Sequence, residues 1–89
     1  MIEKEVTVSN RLGLHARASA KLVQELQGFD CAIWLIGKGR EVNAKSIMGV
    51  MMLAAGNGTE LIVRADGKDE EQAVATAVDL FERKFDEGE

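Results

Sequence analysis

The chain has 89 residues and is short of several residue types, and each shortage rules something out. It carries one cysteine, Cys31, and one histidine, His15. A lone cysteine makes no internal disulfide, and Cys31 reads as a small apolar residue rather than a reactive thiol. One histidine and one cysteine do not furnish a structural zinc site, so no metal is expected. Aromatic residues amount to 4 %, tyrosine is absent, and the net charge is −4. An RNA-binding module of strands and helices needs a basic or aromatic sheet face. This composition sets such a module aside, and nucleic acid as a main partner with it. No apolar run approaches the ~18 residues that cross a membrane. The charged opening Met1-Ile2-Glu3-Lys4-Glu5 lacks the apolar stretch of a signal peptide, so a cytoplasmic protein is expected. Glycine-rich phosphate loops of the forms G-x-x-x-x-G-K-[ST] and G-x-G-x-x-G are missing too, which argues against an autonomous nucleotide site. Phosphate handled by this chain would therefore come from another protein, and no cofactor is expected.

What remains is an ordinary globular composition, 46 % apolar and 29 % charged, read as one domain over residues 1–89. Ile2, Val6 and Val8 alternate with Glu3, Glu5, Thr7 and Ser9, with Lys4 the one charge on the apolar set; a half-buried strand is predicted. A helix follows from Ala16 to about Gln27, with Leu22, Val23 and Leu26 on one face, Ala18 and Ser19 a turn earlier, and Gly28 at its end. Cys31 to Ile36 reads as a central strand, Gly37-Lys38-Gly39 as a turn and Arg40 to Asn43 as the returning strand. Ser46 opens a short helix from Ile47 to about Leu53. After the turn Gly56-Asn57-Gly58, Glu60 to Asp66 is a strand with Leu61, Val63 and Ala65 on one face. Asp69 and Gln72 have the capping-box spacing for a last helix, whose stripe is Ala73, Val74, Ala77, Leu80, Phe81 and Phe85. Trp34 reads as a packing residue of the second strand rather than a ligand stack. The acidic tail Asp86-Glu87-Gly88-Glu89 reads as frayed and solvated. The order βαββαβα predicts an α/β two-layer sandwich with three helices on one face of the sheet.

His15 falls in Gly13-Leu14-His15-Ala16-Arg17, where the strand pattern gives way to the helix pattern. The first backbone N–H groups of a helix have no partner within it, and the macrodipole adds positive charge there, so a helix start is an anion site. An imidazole held there, with an arginine two residues on, is placed to hold a phosphoryl group. The plainer reading is a surface or capping histidine.

The segments Gly13-Leu14-His15-Ala16-Arg17 and Ser46-Ile47-Met48-Gly49-Val50-Met51, at their mutual spacing, resemble the HPr family. These are the histidine-containing phosphocarriers of the bacterial phosphoenolpyruvate phosphotransferase system. The resemblance covers the whole chain and implies a four-stranded antiparallel sheet. It implies that His15 accepts a phosphoryl group from phosphorylated enzyme I and passes it to an enzyme IIA domain, as a stoichiometric carrier rather than a turnover enzyme. Imidazole suits that relay, being nucleophilic near neutral pH and forming an easily cleaved P–N bond. In the family Nδ1 is the phosphorylated atom. Arg17 matches the family's arginine, and its guanidinium would bind phosphoryl oxygens. A cation at a positive helix end is mildly unfavourable unless an anion joins it. The backbone N–H groups of Ala16 and Arg17 are the expected further donors. A carrier that shows one face to successive partners is expected to be a monomer.

Many relatives have proline where this chain has Ala18; alanine is a strong helix former, so the helix should persist. Ser46 is a preferred N-cap residue. The resemblance also makes it the residue that HPr kinase/phosphorylase modifies in many relatives, where a phosphate beside His15 would repel an incoming phosphoryl group or an acidic partner. Ile47, Met48 and Met51, with Ala20 and Lys21, are the residues implied to dock enzyme I and the IIA domains; methionine suits surfaces that meet several partners. The alternative function is a purely regulatory nitrogen-type (NPr-like) paralogue, towards which Ala18-Ser19 and Met51-Met52-Leu53-Ala54-Ala55-Gly56 point.

Overall fold

A computed structural model describes residues 1–87. The elements are β1 (Ile2–Thr7), α1 (Ala16–Leu26), β2 (Ala32–Gly37), β3 (Arg40–Asn43), α2 (Ile47–Met52), β4 (Glu60–Asp66), α3 (Glu70–Glu82) and a 3-10 turn, Lys84–Asp86. The strands form one sheet in the order β1-β4-β2-β3, and every neighbouring pair is antiparallel. The chain order βαββαβα, the antiparallel sheet and the two-layer sandwich are as predicted; the order of strands within the sheet comes from the structure.

The register explains the layers. Val6 stands opposite Leu61 and Ile2 opposite Ala65, while Leu35 and Ile33 stand opposite Val63 and Ala65. These residues alternate along their strands, so all share the face turned to the helices. Helix α3 packs on β1 and β4, α1 lies against α2 and α3, and α2 rests on β3. The core includes Leu22, Leu26, Ile33, Leu35, Leu53, Leu61, Leu80 and Phe81, each all but inaccessible to solvent. The other sheet face meets water. There Arg64 bridges two strands, with Nε 2.6 Å from Glu3 and Nη1 3.0 Å from Glu41. Trp34 lies on this outer face, half-buried and opposite Arg64 in register, and takes no part in the core.

Two local expectations are corrected. Asp69 is the N-cap of α3 but makes no capping hydrogen bond within the helix. Its carboxylate instead accepts the backbone amides of Asp30 (2.8 Å) and Cys31 (3.0 Å), tying the α1–β2 loop to the start of α3. The Asp30 amide, above all, holds the Asp69 carboxyl below its ordinary value. The second correction concerns the tail. Phe85 is buried as its place in the stripe predicts, but outside α3, in a left-handed turn where Lys84, Phe85 and Asp86 have φ of 56°, 54° and 62°. Left-handed backbone costs a non-glycine residue roughly 1 kcal/mol or more. The turn is held by the Phe85 ring, edge-on to Phe81 at 5.0 Å, and by Asp86, 2.9 Å from Lys21 Nζ. Asp86 and Glu87 are thus folded back onto α1 rather than frayed; Gly88 and Glu89 lie outside the described residues.

Cys31 is buried, and burial pushes its thiol up to about 11, in keeping with a packing role.

Candidate functional site

The loop between β1 and α1 is fastened at three points. Val8, beyond the end of β1, donates to Thr59 O at 2.9 Å and accepts from Gly58 at 2.7 Å. Asn57 Nδ2 donates to the Asn10 carbonyl at 3.1 Å. The Leu14 amide donates to Ala55 O at 2.8 Å. Gly13 makes this last approach possible. Its φ is +71°, and a Cβ there would stand 2.5 Å from Ala55 O and 2.7 Å from Gly56 Cα. Only glycine fits both conditions.

This fastening sets His15 as the N-cap of α1, in extended backbone with φ −72° and ψ −179°. The first helical hydrogen bond runs from Ser19 N to His15 O at 2.9 Å, so the amides of Ala16, Arg17 and Ala18 precede the intrahelical ladder. The imidazole serves as the cap, its Nδ1 accepting from Arg17 N at 3.3 Å. The side chain is 29 % exposed and borders an open cleft with Arg11, Arg17, Lys21 and Gln24. Three cations, two carboxylates (Asp86 and Glu87) and a helix start therefore line the cleft beside the one histidine.

The opposite edge of the ring has a partner that the sequence did not reveal. Nε2 lies 2.5 Å from Glu87 Oε2. The other Glu87 oxygen accepts from Asn10 Nδ2 at 2.9 Å, and the same Nδ2 donates to Gly13 O at 2.7 Å. Asn10 is fully buried. Burial alone would raise the Glu87 carboxyl, but hydrogen bonds from Asn10 and His15, with the charges of His15 and Arg17, hold it below its ordinary value. No spacing rule links residue 87 to residue 15. The contact depends on the left-handed turn at Lys84–Asp86, which no glycine announces.

The second motif lies elsewhere on the same layer. Ser46 caps α2, its Oγ accepting from Gly49 N at 3.1 Å, as predicted. Gln27 Nε2 donates to Lys45 O at 2.8 Å, which sets Ser46 by the C-terminal end of α1 rather than beside His15. The separation is one helix length, about 16 Å at the rise of an α-helix. Of α2, only Val50 is buried. Ile47, Met48, Met51 and Met52 are 41 %, 73 %, 42 % and 58 % exposed, and Leu12, in the loop before His15, is 60 % exposed. Ala20 and Lys21 are half-buried on α1 and line the His15 cleft. The structure therefore gathers His15, Ala16, Arg17, Ala20 and Lys21 at one end of α1, with the exposed side chains of α2 on the neighbouring helix.

A four-stranded antiparallel sheet backed by three helices, with a part-buried histidine capping the first, defines a small two-layer α/β sandwich with its one histidine at a helix start. The chain matches the family described as PTS HPr component phosphorylation site over residues 2–83. It is 59 % identical over 87 residues to the phosphocarrier protein HPr of Xylella fastidiosa strain Temecula1, covering 98 % of each chain. It is 48 % identical over 89 residues to that of Cupriavidus necator, covering 100 % of each. The crystal structure of HPr from Thermoanaerobacter tengcongensis superposes with a TM-score of 0.94 at 44 % identity, covering 98 % of both chains. The chain belongs to the HPr family of phosphocarriers of the phosphotransferase system. Among the described residues no helix is long and apolar enough to cross a membrane.

Proposed function

We propose that His15 is the residue that carries the phosphoryl group, through Nδ1. The observation that carries this reading is the N-cap geometry: the Nδ1 lone pair points to the Arg17 amide, at the positive end of α1. A phosphoryl group on Nδ1 would take the place of the ring nitrogen as acceptor for the amides of Ala16 and Arg17. The Arg17 guanidinium, exposed on the same turn, would bind its oxygens, and Arg11 and Lys21 would add to the field. The donor is phosphorylated enzyme I and the acceptor an enzyme IIA domain, both docking on Ala20, Lys21, Ile47, Met48 and Met51. The protein works in the cytoplasm as a monomer of one domain, and Ser46 is a regulatory phosphorylation site for an HPr kinase/phosphorylase.

The test is incubation with enzyme I, magnesium and phosphoenolpyruvate, followed by intact and peptide mass. One acid-labile phosphoryl group on the His15 peptide, absent from His15→Ala, supports the reading. No transfer from an enzyme I that phosphorylates another acceptor overturns it.

A further inference from the structure

We infer that Glu87 is a positioning residue for phosphoryl transfer: it keeps the His15 proton on Nε2 and so leaves Nδ1 as the nucleophile. The inference rests on the reading of His15 as phosphoryl acceptor.

The two ring nitrogens face opposite partners. Nδ1 faces a donor, the Arg17 amide at 3.3 Å, and a donor demands a lone pair. Nε2 faces Glu87 Oε2 at 2.5 Å, and an ionised carboxylate only accepts. Both contacts select the same tautomer, with hydrogen on Nε2. The carboxylate is itself fixed from behind by Asn10, whose Nδ2 is already oriented by Gly13 O at 2.7 Å. Reversing the Asn10 amide would set its oxygen against two acceptors, so it must donate to Glu87. A buried amide thus orients a carboxylate, the carboxylate orients a histidine, and the histidine presents one nitrogen to the cleft. A histidine oriented by a carboxylate is a recurring way to fix the reactive tautomer.

The transfer step follows from this arrangement. The Nδ1 lone pair attacks the phosphorus of a phosphohistidine donor. The donor's P–N bond breaks, and its electron pair returns to the donor nitrogen. The His15 ring keeps its Nε2 hydrogen and gains the positive charge of an N-phosphorylated imidazolium, which the Glu87 carboxylate balances. In the onward step the P–Nδ1 bond breaks, its pair returns to Nδ1, and His15 leaves as the neutral ring with hydrogen still on Nε2. No proton has to enter or leave.

The test uses the full chain and Glu87→Gln. Asn10 donates to one Glu87 oxygen, so in the variant the amide oxygen turns to Asn10 and the NH2 turns to His15. An NH2 facing Nε2 asks for a lone pair there while the Arg17 amide still asks for one on Nδ1, so the two donors compete and hydrogen on Nε2 is no longer selected by both contacts. Nitrogen-15 NMR of the neutral ring should show hydrogen on Nε2 in the wild type and a raised share of the Nδ1–H form in Glu87→Gln. With phosphorylated enzyme I as donor, kcat should fall at least about tenfold with little change in KM, the mark of a wrong tautomer rather than of lost docking. Wild-type protein that shows the Nδ1–H form, or Glu87→Gln with unchanged kcat, overturns the inference while leaving His15 as acceptor. Wild-type protein that takes no phosphate on His15 overturns the acceptor reading, and this inference with it.

Discussion

The Leu14 amide donates to the Ala55 carbonyl at 2.8 Å, and of the bonds that fasten the β1–α1 loop to the chain leaving α2 this one lies nearest His15. Gly13 lets the strands of backbone come that close. Gly13→Ala sets a side chain on left-handed backbone and drives its Cβ to 2.5 Å from Ala55 O. The expected loss is about 2 kcal/mol or more, read by denaturant unfolding. Because the same bond positions the His15 loop, phosphoryl acceptance should also slow under conditions where the variant remains folded. A Gly13→Ala protein of wild-type stability would show that the loop packs differently.

Much of the fold could be read from periodicity. The period-two pattern of Leu61, Val63 and Ala65 and the helical spacing of Leu22, Val23 and Leu26 are local consequences of burying one face, so each segment announces itself. His15 and Ser46 could be found because their chemistry is that of a helix start, and the two caps are where the sequence places them, whereas the role expected of Arg17 came from the family resemblance. Two features stayed hidden for related reasons. Asp69 fits a capping box locally, but the unpaired amides of Asp30 and Cys31 compete for its carboxylate from a distant loop. Glu87 sits in an acidic stretch that reads as solvated, and only tertiary packing of Phe85 turns it back onto His15. In both, a polar group chose a partner remote in sequence, which no pattern along the chain records.

Asp69 makes acid stability testable. Its folded carboxyl lies below an ordinary value of 3.8, so it stabilises the fold fully above that pH and progressively less as pH falls through the lower folded value. Glu70, held down chiefly by the Gly67 amide, acts in the same direction. Asp69→Asn should therefore melt earlier than wild type near neutrality, with the gap narrowing in strong acid. Hydrogen exchange at the Asp30 and Cys31 amides should quicken in the variant. A gap that widens on acidification would contradict the assignment.

Ser46 separates a structural from a regulatory role. Ser46→Ala removes the acceptor for Gly49 N and should cost about 1 kcal/mol. Ser46→Asp keeps a capping oxygen and adds an anion at the start of α2, so stability should be kept. The new charge stands about one helix length, roughly 16 Å, from His15 and is well screened there at physiological salt. Any slowing of phosphorylation must then act through docking, raising KM for enzyme I while kcat holds. A fall in kcat alone would mean that Ser46 influences the histidine itself.

Met48 tests the docking face. It is the most exposed of the apolar side chains on α2, at 73 %, and its removal opens no cavity. Met48→Glu should therefore change stability by no more than about 0.5 kcal/mol. At the centre of an interface the same change buries an unpaired charge, which costs binding far more than a lost rim contact. The expected outcome is a KM for enzyme I raised about tenfold, with kcat near wild type once enzyme I is saturating. Arg17→Ala should show the reverse, because its guanidinium meets the phosphoryl group rather than the partner surface: kcat falls and KM changes little. If Met48→Glu leaves KM unchanged, the exposed methionines of α2 are not where enzyme I binds. The docking surface must then lie on the cleft side of α1, around Ala20 and Lys21.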